Sequence, residues 1–251
     1  MVLISEDDLL PALLNRAAVK ASRTLASYVE ELLNDEVMAR HFEQTAQRRQ
    51  HTKYANWQVR VTAFPGNVAI YYALVRELRP NVIVETGTAT GSMTSYLLAA
   101  LHRNGGGRLI SIDLPPVAGK LTMDLTLADS DIGYWIPPEY RGAWRYLKGD
   151  AKVLLPKVMT EQPVEFFIHD SLHTRTHMTF EYSVARALMK SGSVIVSDDV
   201  LWNNAFDDFL ATHGIVGYAG YRNPNVAVTL NEFDQYEKEI GLGVVNPSAT
   251  P

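Results

Sequence analysis

The chain has no cysteine among its 251 residues. That excludes a disulfide framework, an iron–sulfur cluster and a thiolate zinc site, and leaves carboxylate, imidazole or carbonyl groups to hold any metal. Such donors suit a hard cation. Positive charge is not in excess either, since 23 Lys+Arg stand against 28 Asp+Glu for a net charge of -5. With no basic stripe carrying interleaved aromatics, nucleic acid is not an expected partner. Uninterrupted apolar runs stay short of the ~18 to 20 residues needed to cross a bilayer. The opening MVLISEDDLL is acidic where a secretory leader is basic, so the expectation is a cytoplasmic chain off the membrane. Internal repeats and low-complexity tracts are missing as well, and a content of 47% hydrophobic and 20% charged residues is ordinary for a globular protein.

What is present divides into two patterns. Up to about residue 60, Leu9, Leu10, Leu13 and Leu14, then Leu25, Val29, Leu32 and Leu33, recur at helical spacing with no good strand run. The polar end of this section, with Tyr54 and Trp57 embedded, suits a lid, a docking surface or a plain solvated helix face. From residue 81 short apolar runs alternate with helical segments, the mark of βα units around a mostly parallel sheet. The runs are NVIVE (81–85), RLISID (108–113), WRYLKGD (144–150), VEFFIHD (164–170) and SVIVSDD (193–199), each ending in an acid. Two more candidate strands, 215–221 and 226–230, lie so close together that they must pair antiparallel at the sheet edge. The reading is an α/β fold: a Rossmann-like, seven-stranded, mostly parallel sheet with helices on both faces and a helical N-terminal extension. Its divisions are 1–64 for the lid or oligomerisation segment, 65–240 for the catalytic domain and 241–251 for a flexible tail. The stretch 114–143 between the second and third strands is too long for an ordinary loop and reads as a functional flap.

Three groups of residues carry the chemistry. VETGTATGS at 84–92 is a strand, a glycine-rich turn and a helix start. Gly87 and Gly91 would let the backbone turn tightly beside a ligand, while Glu85 would repel a phosphate and suits a cationic or hydroxyl-rich one. Asp113, closing ISID, is placed to accept ribose hydroxyls. Asp150 in KGDA either meets an adenine amino group or simply caps the next helix. In open α/β sheets ligands bind beyond the carboxyl ends of the strands, so Asp170 after the fourth strand and Asp198 with Asp199 after the fifth would converge there. Three carboxylates in a poorly solvated cleft repel one another unless a cation compensates. The oxygen donors favour Mg²⁺, with Mn²⁺ or Ca²⁺ as substitutes.

With these residues in place, the chain resembles the class I S-adenosylmethionine-dependent methyltransferases over roughly residues 65 to 230. The resemblance implies that the ribose of the cofactor lies on Asp113 and the adenine beside Asp150 and Ala151. It places the methionine part near Glu85, Gly87, Thr88, Gly91 and Ser92. The acid pattern is similar to a narrower group, the metal-dependent O-methyltransferases that act on sugar hydroxyls of macrolide and aminocoumarin antibiotics, with their cephalosporin-hydroxylase-like relatives. That likeness implies metal ligands at Asp170, Asp198 and Asp199, and either His173 or Asp170 as the base.

The expected reaction is methyl transfer to a hydroxyl of a small molecule, a sugar or glycosylated natural product, or alternatively a catechol or other phenol. A sugar hydroxyl is so weakly acidic that it needs both polarisation and a placed base. A methyltransferase-like protein that binds the nucleoside without catalysis stands as the alternative of a different class, and the intact acid triplet argues against it. An oxygenase is disfavoured by the lack of a two-histidine, one-carboxylate triad. His173 and His177 in HTRTH lack the glutamate of a HExxH zinc protease. His177 and Glu181 read as an ordinary i, i+4 helix pair and His169 as structural. Trp202 and Asn203 either shape an acceptor pocket or, for the aromatic at a helix start, read as plain core, Phe206, Phe209 and Leu210 space as core, and the helical N-terminal section implies a homo-oligomer.

Overall fold

A computed structural model describes residues 2–3, 10–12, 14–15, 19–49, 69–114, 131–190, 192–213, 218–219 and 241–243. Strands β1 (Val2–Leu3), β2 (Val82–Thr86), β3 (Arg108–Asp113), β4 (Trp144–Lys148), β5 (Phe166–His169), β6 (Val194–Ser197), β7 (Tyr218–Ala219) and β8 (Gly241–Gly243) form one sheet. Their order across it is β1-β7-β8-β6-β5-β2-β3-β4. The helices are α1 (Leu25–Leu33), α2 (Glu36–Arg48), α3 (Ile70–Leu78), α4 (Ser92–Asn104), α5 (Ala151–Glu161), α6 (Arg175–Leu188) and α7 (Ala205–Thr212).

The five strands β2 to β6 run parallel, and the β2 side chains are buried on both faces. That burial is why the run VIVET is apolar without alternation. Neighbouring residues nevertheless sort by period two. Ile83, Leu109, Phe166 and Ile168 join a core with α3 and α4 on one face. Val82, Val84, Ile110 and Phe167 join Leu155, Met178, Tyr182 and Phe206 of α5, α6 and α7 on the other. Phe206, Phe209 and Leu210 are core, as their spacing predicts.

The outer strands differ from the sequence reading in three respects. β7 falls inside the expected 215–221 run, but its antiparallel partner is β8 at Gly241–Gly243, which also pairs antiparallel with β6. The stretch 226–230 lies outside the described residues, as do Tyr54 and Trp57. Residues 241–243 therefore belong to the sheet, not to a flexible tail. Finally Val2–Leu3 pairs in parallel with β7, where no strand was expected. Sheet hydrogen bonds use backbone groups alone, so segments of two or three residues can extend a sheet without any side-chain pattern to announce them. Instead of seven strands, five parallel ones carry three short additions.

The N-terminal helices pack into the first core. Leu25, Tyr28 and Leu32 of α1 and Met38 and Phe42 of α2 are buried, in keeping with the leucine spacing. Thr24 caps α1 by accepting from Ser27 N, and Asp35 caps α2 by accepting from Met38 N. Glu31 of α1 ties these helices to α3, taking Arg76 Nε at 2.8 Å and the Tyr72 hydroxyl at 2.5 Å. Phe42 stacks on Trp135 with centroids 4.7 Å apart and touches the Tyr96 ring of α4. The described part of the flap, 131–143, ends in a 3₁₀ helix, Pro138–Ala143, whose Tyr140 hydroxyl donates to Asp35 at 3.0 Å. No helix among the described residues is long and apolar enough to cross a membrane.

Because Phe42 joins α2, α4 and the flap, Phe42→Ala is expected to cost about 3 to 5 kcal/mol. Urea unfolding followed by circular dichroism should show one cooperative transition moved to lower denaturant. An unchanged midpoint would mean that α2 is not part of the core.

Candidate active site

The order of β2, β3, β4, β5 and β6 along the chain places the site. From β2 the chain moves outward to β3 and β4, then returns to the other side of β2 for β5 and β6. At such a reversal the connections leave in opposite directions and open a crevice beyond the carboxyl ends of the strands. The glycine-rich turn after β2 and Asp170 after β5 face each other across it. Gly87 adopts φ +87, and a Cβ built there would lie 1.9 Å from the Asp170 carbonyl oxygen, so only glycine fits.

Thr88 to Gly91 form a tight turn closed by Gly91 N donating to Thr88 O at 2.7 Å, and Gly91, at φ +79, leads into α4 at Ser92. Asp113 holds this turn. Its Oδ2 accepts from Thr88 N at 2.9 Å and from Ala89 N at 2.7 Å, which stabilises Ala89 in an uncommon left-handed conformation at φ +44. Gly149 N donates to Asp113 O and brings the end of β4 to the same rim. There Asp150 caps α5 by accepting from Lys152 N at 2.8 Å, which engages its Oδ1. Ala151 is the first, buried residue of that helix.

Glu85 lies elsewhere. It is 1% exposed, between sheet and helix, accepting from Thr94 Oγ1 at 2.6 Å and Ser111 Oγ at 2.5 Å, and Ser111 in turn accepts from Trp144 Nε1. Burial raises its pKa to about 7 even though the two hydroxyls favour the charged form.

The ladder continues past the strand ends, with Asp170 N donating to Thr86 O and Asp198 N to His169 O, both at 2.9 Å. Asp170 and Asp198 are thereby fixed on adjacent strands. Asp199 stands at φ +48, left-handed, with Oδ2 3.8 Å from His173 Nε2. Asp198 is buried, and its Oδ1 has no hydrogen-bond partner among the described residues. Tyr71 of α3, which the sequence reading passed over, lies within electrostatic reach of this cluster. Its hydroxyl is buried without a hydrogen-bond partner among the described residues. Its pKa is held well above the usual tyrosine range by burial first, then by the charges of Asp198, Asp170 and Asp199. IYYALVREL reads simply as an apolar helix, and nothing in the sequence distinguishes Tyr71 from Tyr72. Among the described residues no group of three or more His, Asp or Glu side chains could, as it stands, hold a metal ion.

The His173 ring is packed edge-on against His169 at 5.1 Å and beside Trp202 at 5.4 Å. Asn203 Nδ2 donates to His173 O at 3.1 Å, so Trp202 and Asn203 both shape this corner. Beneath lies Glu181, fully buried. It accepts from four side chains: His169 Nδ1 at 2.5 Å, His177 Nε2 at 2.7 Å, Thr86 Oγ1 at 2.6 Å and Ser171 Oγ at 3.0 Å. Burial alone would raise its pKa, but the two histidines hold it down to about 2. The expected i, i+4 pair of His177 with Glu181 is present, yet it belongs to a buried network that supports β5 and is not a surface pair. His169 is structural, as expected.

Residues 84–200 match the family model described as a methyltransferase domain. No curated protein matches the sequence. Among solved structures, a Klebsiella pneumoniae protein provisionally described as an O-methyltransferase aligns at TM-score 0.55 with 16% identity, over 85% of this chain and 91% of its own. The O-methyltransferase of Bacillus cereus in complex with SAH aligns at 0.51 with 17% identity, over 87% and 96%. The Streptomyces achromogenes O-methyltransferase TomG, involved in tomaymycin synthesis and solved with SAM, aligns at 0.52 with 16% identity, over 85% and 91%. At these identities the likeness is one of fold.

The two buried glutamates give opposite pH dependences. Glu181 is depressed from an ordinary 4.5 to about 2, so its contribution is complete above about pH 4.5 and is lost as pH falls toward 2. Glu85 is raised from 4.5 to about 7, so the folded state loses stability as pH rises between those values. Urea melts at pH 8 should show Glu181→Ala destabilised by about 3 to 5 kcal/mol and Glu85→Gln stabilised by up to about 3 kcal/mol. A Glu85→Gln variant less stable than the parent at pH 8 would contradict the buried-charge account.

Proposed function

We propose, on the premise that this chain carries a methyltransferase domain of the class I, Rossmann-like fold, that it transfers a methyl group from S-adenosylmethionine to a hydroxyl of a small molecule. The observation that carries the reading is the meeting of the glycine-rich turn with the acid cluster. Gly87 lies against the Asp170 backbone, so a nucleoside-derived donor on the turn and a hydroxyl acceptor at the acids would share one crevice. S-adenosylmethionine supplies an electrophilic methyl sulfonium, and the chain's own work is to bind, orient and take a proton.

Binding falls to the turn and to Asp113, whose Oδ2 is already committed to Thr88 N and Ala89 N. That leaves Oδ1 as the acceptor for ribose hydroxyls. Asp150 and Ala151 flank the adenine side of the same rim, and Gly87, Thr88, Gly91 and Ser92 the methionine side. Thr88 Oγ1 is buried without a hydrogen-bond partner among the described residues, a donor suited to a polar ligand atom. Glu85 acts from beneath, through Thr94 of α4.

On the acceptor side His173 is the base. Asp199 Oδ2 at 3.8 Å stabilises the imidazolium as the proton arrives, and the Trp202 and His169 rings hold the imidazole in place. A divalent cation, Mg²⁺ by the hardness of the donors, would draw on Asp170, Asp198 and Asp199. The unsatisfied Asp198 Oδ1 and the joint field of the three acids at Tyr71 support that choice, with side-chain movement needed to close the set. Such an ion would polarise the acceptor hydroxyl. The acceptor itself is a sugar or sugar-bearing natural product, since a placed base matters most for a weakly acidic alcohol.

The test is transfer of a labelled methyl group to a panel of glycosides and catechols. Excess EDTA should abolish turnover and Mg²⁺ restore it, and the Asp198→Ala, Asp199→Ala double variant should be inactive. Full turnover in either case would remove the metal from the account. With an alcohol acceptor, His173→Ala should lower kcat by about 10²- to 10⁴-fold. A small loss confined to catechol substrates would instead point to a phenolic acceptor.

A further inference from the structure

A second cavity, of about 670 Å³, opens between α2 and the 131–143 segment, on residues the methyl-transfer chemistry does not use. Its wall carries Arg40, His41, Arg48, Arg49 and Arg141 against a single described carboxylate, Glu139. Two of these cations are already neutralised. Arg40 pairs with Glu139 at 2.9 Å, and Arg49 pairs with Asp131 at 2.8 Å while lying over the Tyr134 ring.

Among the described residues the other two guanidiniums are not. Arg48 donates to Gln44 O and Thr45 Oγ1, and Arg141 donates to Ile136 O and Gly133 O. Carbonyl and hydroxyl oxygens use the N–H groups of a guanidinium but leave its net charge uncompensated, and neither arginine meets a carboxylate among the described residues. Arg48, Arg141 and His41 line the same cavity, and the His41 pKa is lowered by burial first and then by the two charges. The volume falls within the range of small-molecule sites, and a guanidinium fork matches the planar oxygens of carboxylate and phosphate.

We infer that this cavity is a binding site for a small polyanion, a molecule carrying phosphate or carboxylate groups, held between Arg48 and Arg141. The inference is independent of the methyl-transfer reading. It places the anion one layer away from the glycine-rich turn, because Gly133 N donates to Ala89 O and Trp135 N to Thr90 O.

The full chain should be tested by thermal melting and calorimetry with inorganic pyrophosphate and, separately, citrate, with potassium chloride at matched ionic strength as control. At least one anion should raise Tm saturably and bind with a sub-millimolar Kd. Phosphate and carboxylate ligands are told apart by which of the two binds. Arg48 is exposed in the last turn of α2, so Arg48→Gln should leave the fold and S-adenosylhomocysteine affinity intact while weakening the anion at least tenfold. Arg79→Gln, outside the cavity, should change nothing. The inference is overturned if neither anion exceeds the chloride control or if Arg48→Gln binds it as tightly as the parent. Displacement of the anion by S-adenosylhomocysteine would also overturn it, by making the cavity part of the nucleoside site.

Discussion

The approach of β2 to β5 at the point where strand order reverses is the constraint on which the rest of the site depends. Parallel pairing sets the two strand ends level, and the ladder runs one residue further through Asp170 N and Thr86 O. The backbone then has room for the turn only because Gly87 has no Cβ. Once that contact is made, the turn must leave along α4 and the acids must rise on the far side of the crevice. The glycine-rich turn and the acids become neighbours through backbone geometry alone.

Two carboxylates keep that geometry in place from below and beside it. Asp113 spends one oxygen on two turn N–H groups, so a residue suited to a ligand also shapes the loop that would receive it. Glu181 gathers His169, His177, Thr86 and Ser171 and so ties the end of β2, the end of β5 and α6 together. A buried charge is tolerated there because four donors replace the lost water. The N-terminal helices act at the opposite edge. Through Phe42, Trp135 and Tyr140 they press the 131–143 segment onto the glycine-rich turn.

The sheet was legible wherever burial leaves a mark on composition. The runs of β2, β5 and β6 are apolar because both of their faces are covered, and an acid stands at or just past the end of each of the five runs. Legibility failed where pairing needs no side-chain signal. Gly241–Gly243 and Val2–Leu3 enter the sheet through backbone hydrogen bonds, and nothing in their residue types distinguishes them from loop. In the candidate site, Asp113, Asp170, Asp198 and Asp199 could be located because strand-end position in this fold class fixes it, whereas His173 was named only through the family resemblance. The burial of Glu85 beneath the turn, Tyr71 within reach of the acids and the joining of His169 to Glu181 depend on which helix packs over which strand, which spacing along one chain does not encode.

The central claim is that Asp113 and the turn it holds form a nucleoside site. Calorimetric titration of S-adenosylhomocysteine into the purified full chain, parent and Asp113→Ala side by side, tests it most directly. The account predicts micromolar binding to the parent, weakened by roughly tenfold to a hundredfold in the variant through loss of charge-assisted hydrogen bonds. Absence of binding to the parent, or equal affinity in both, would contradict it.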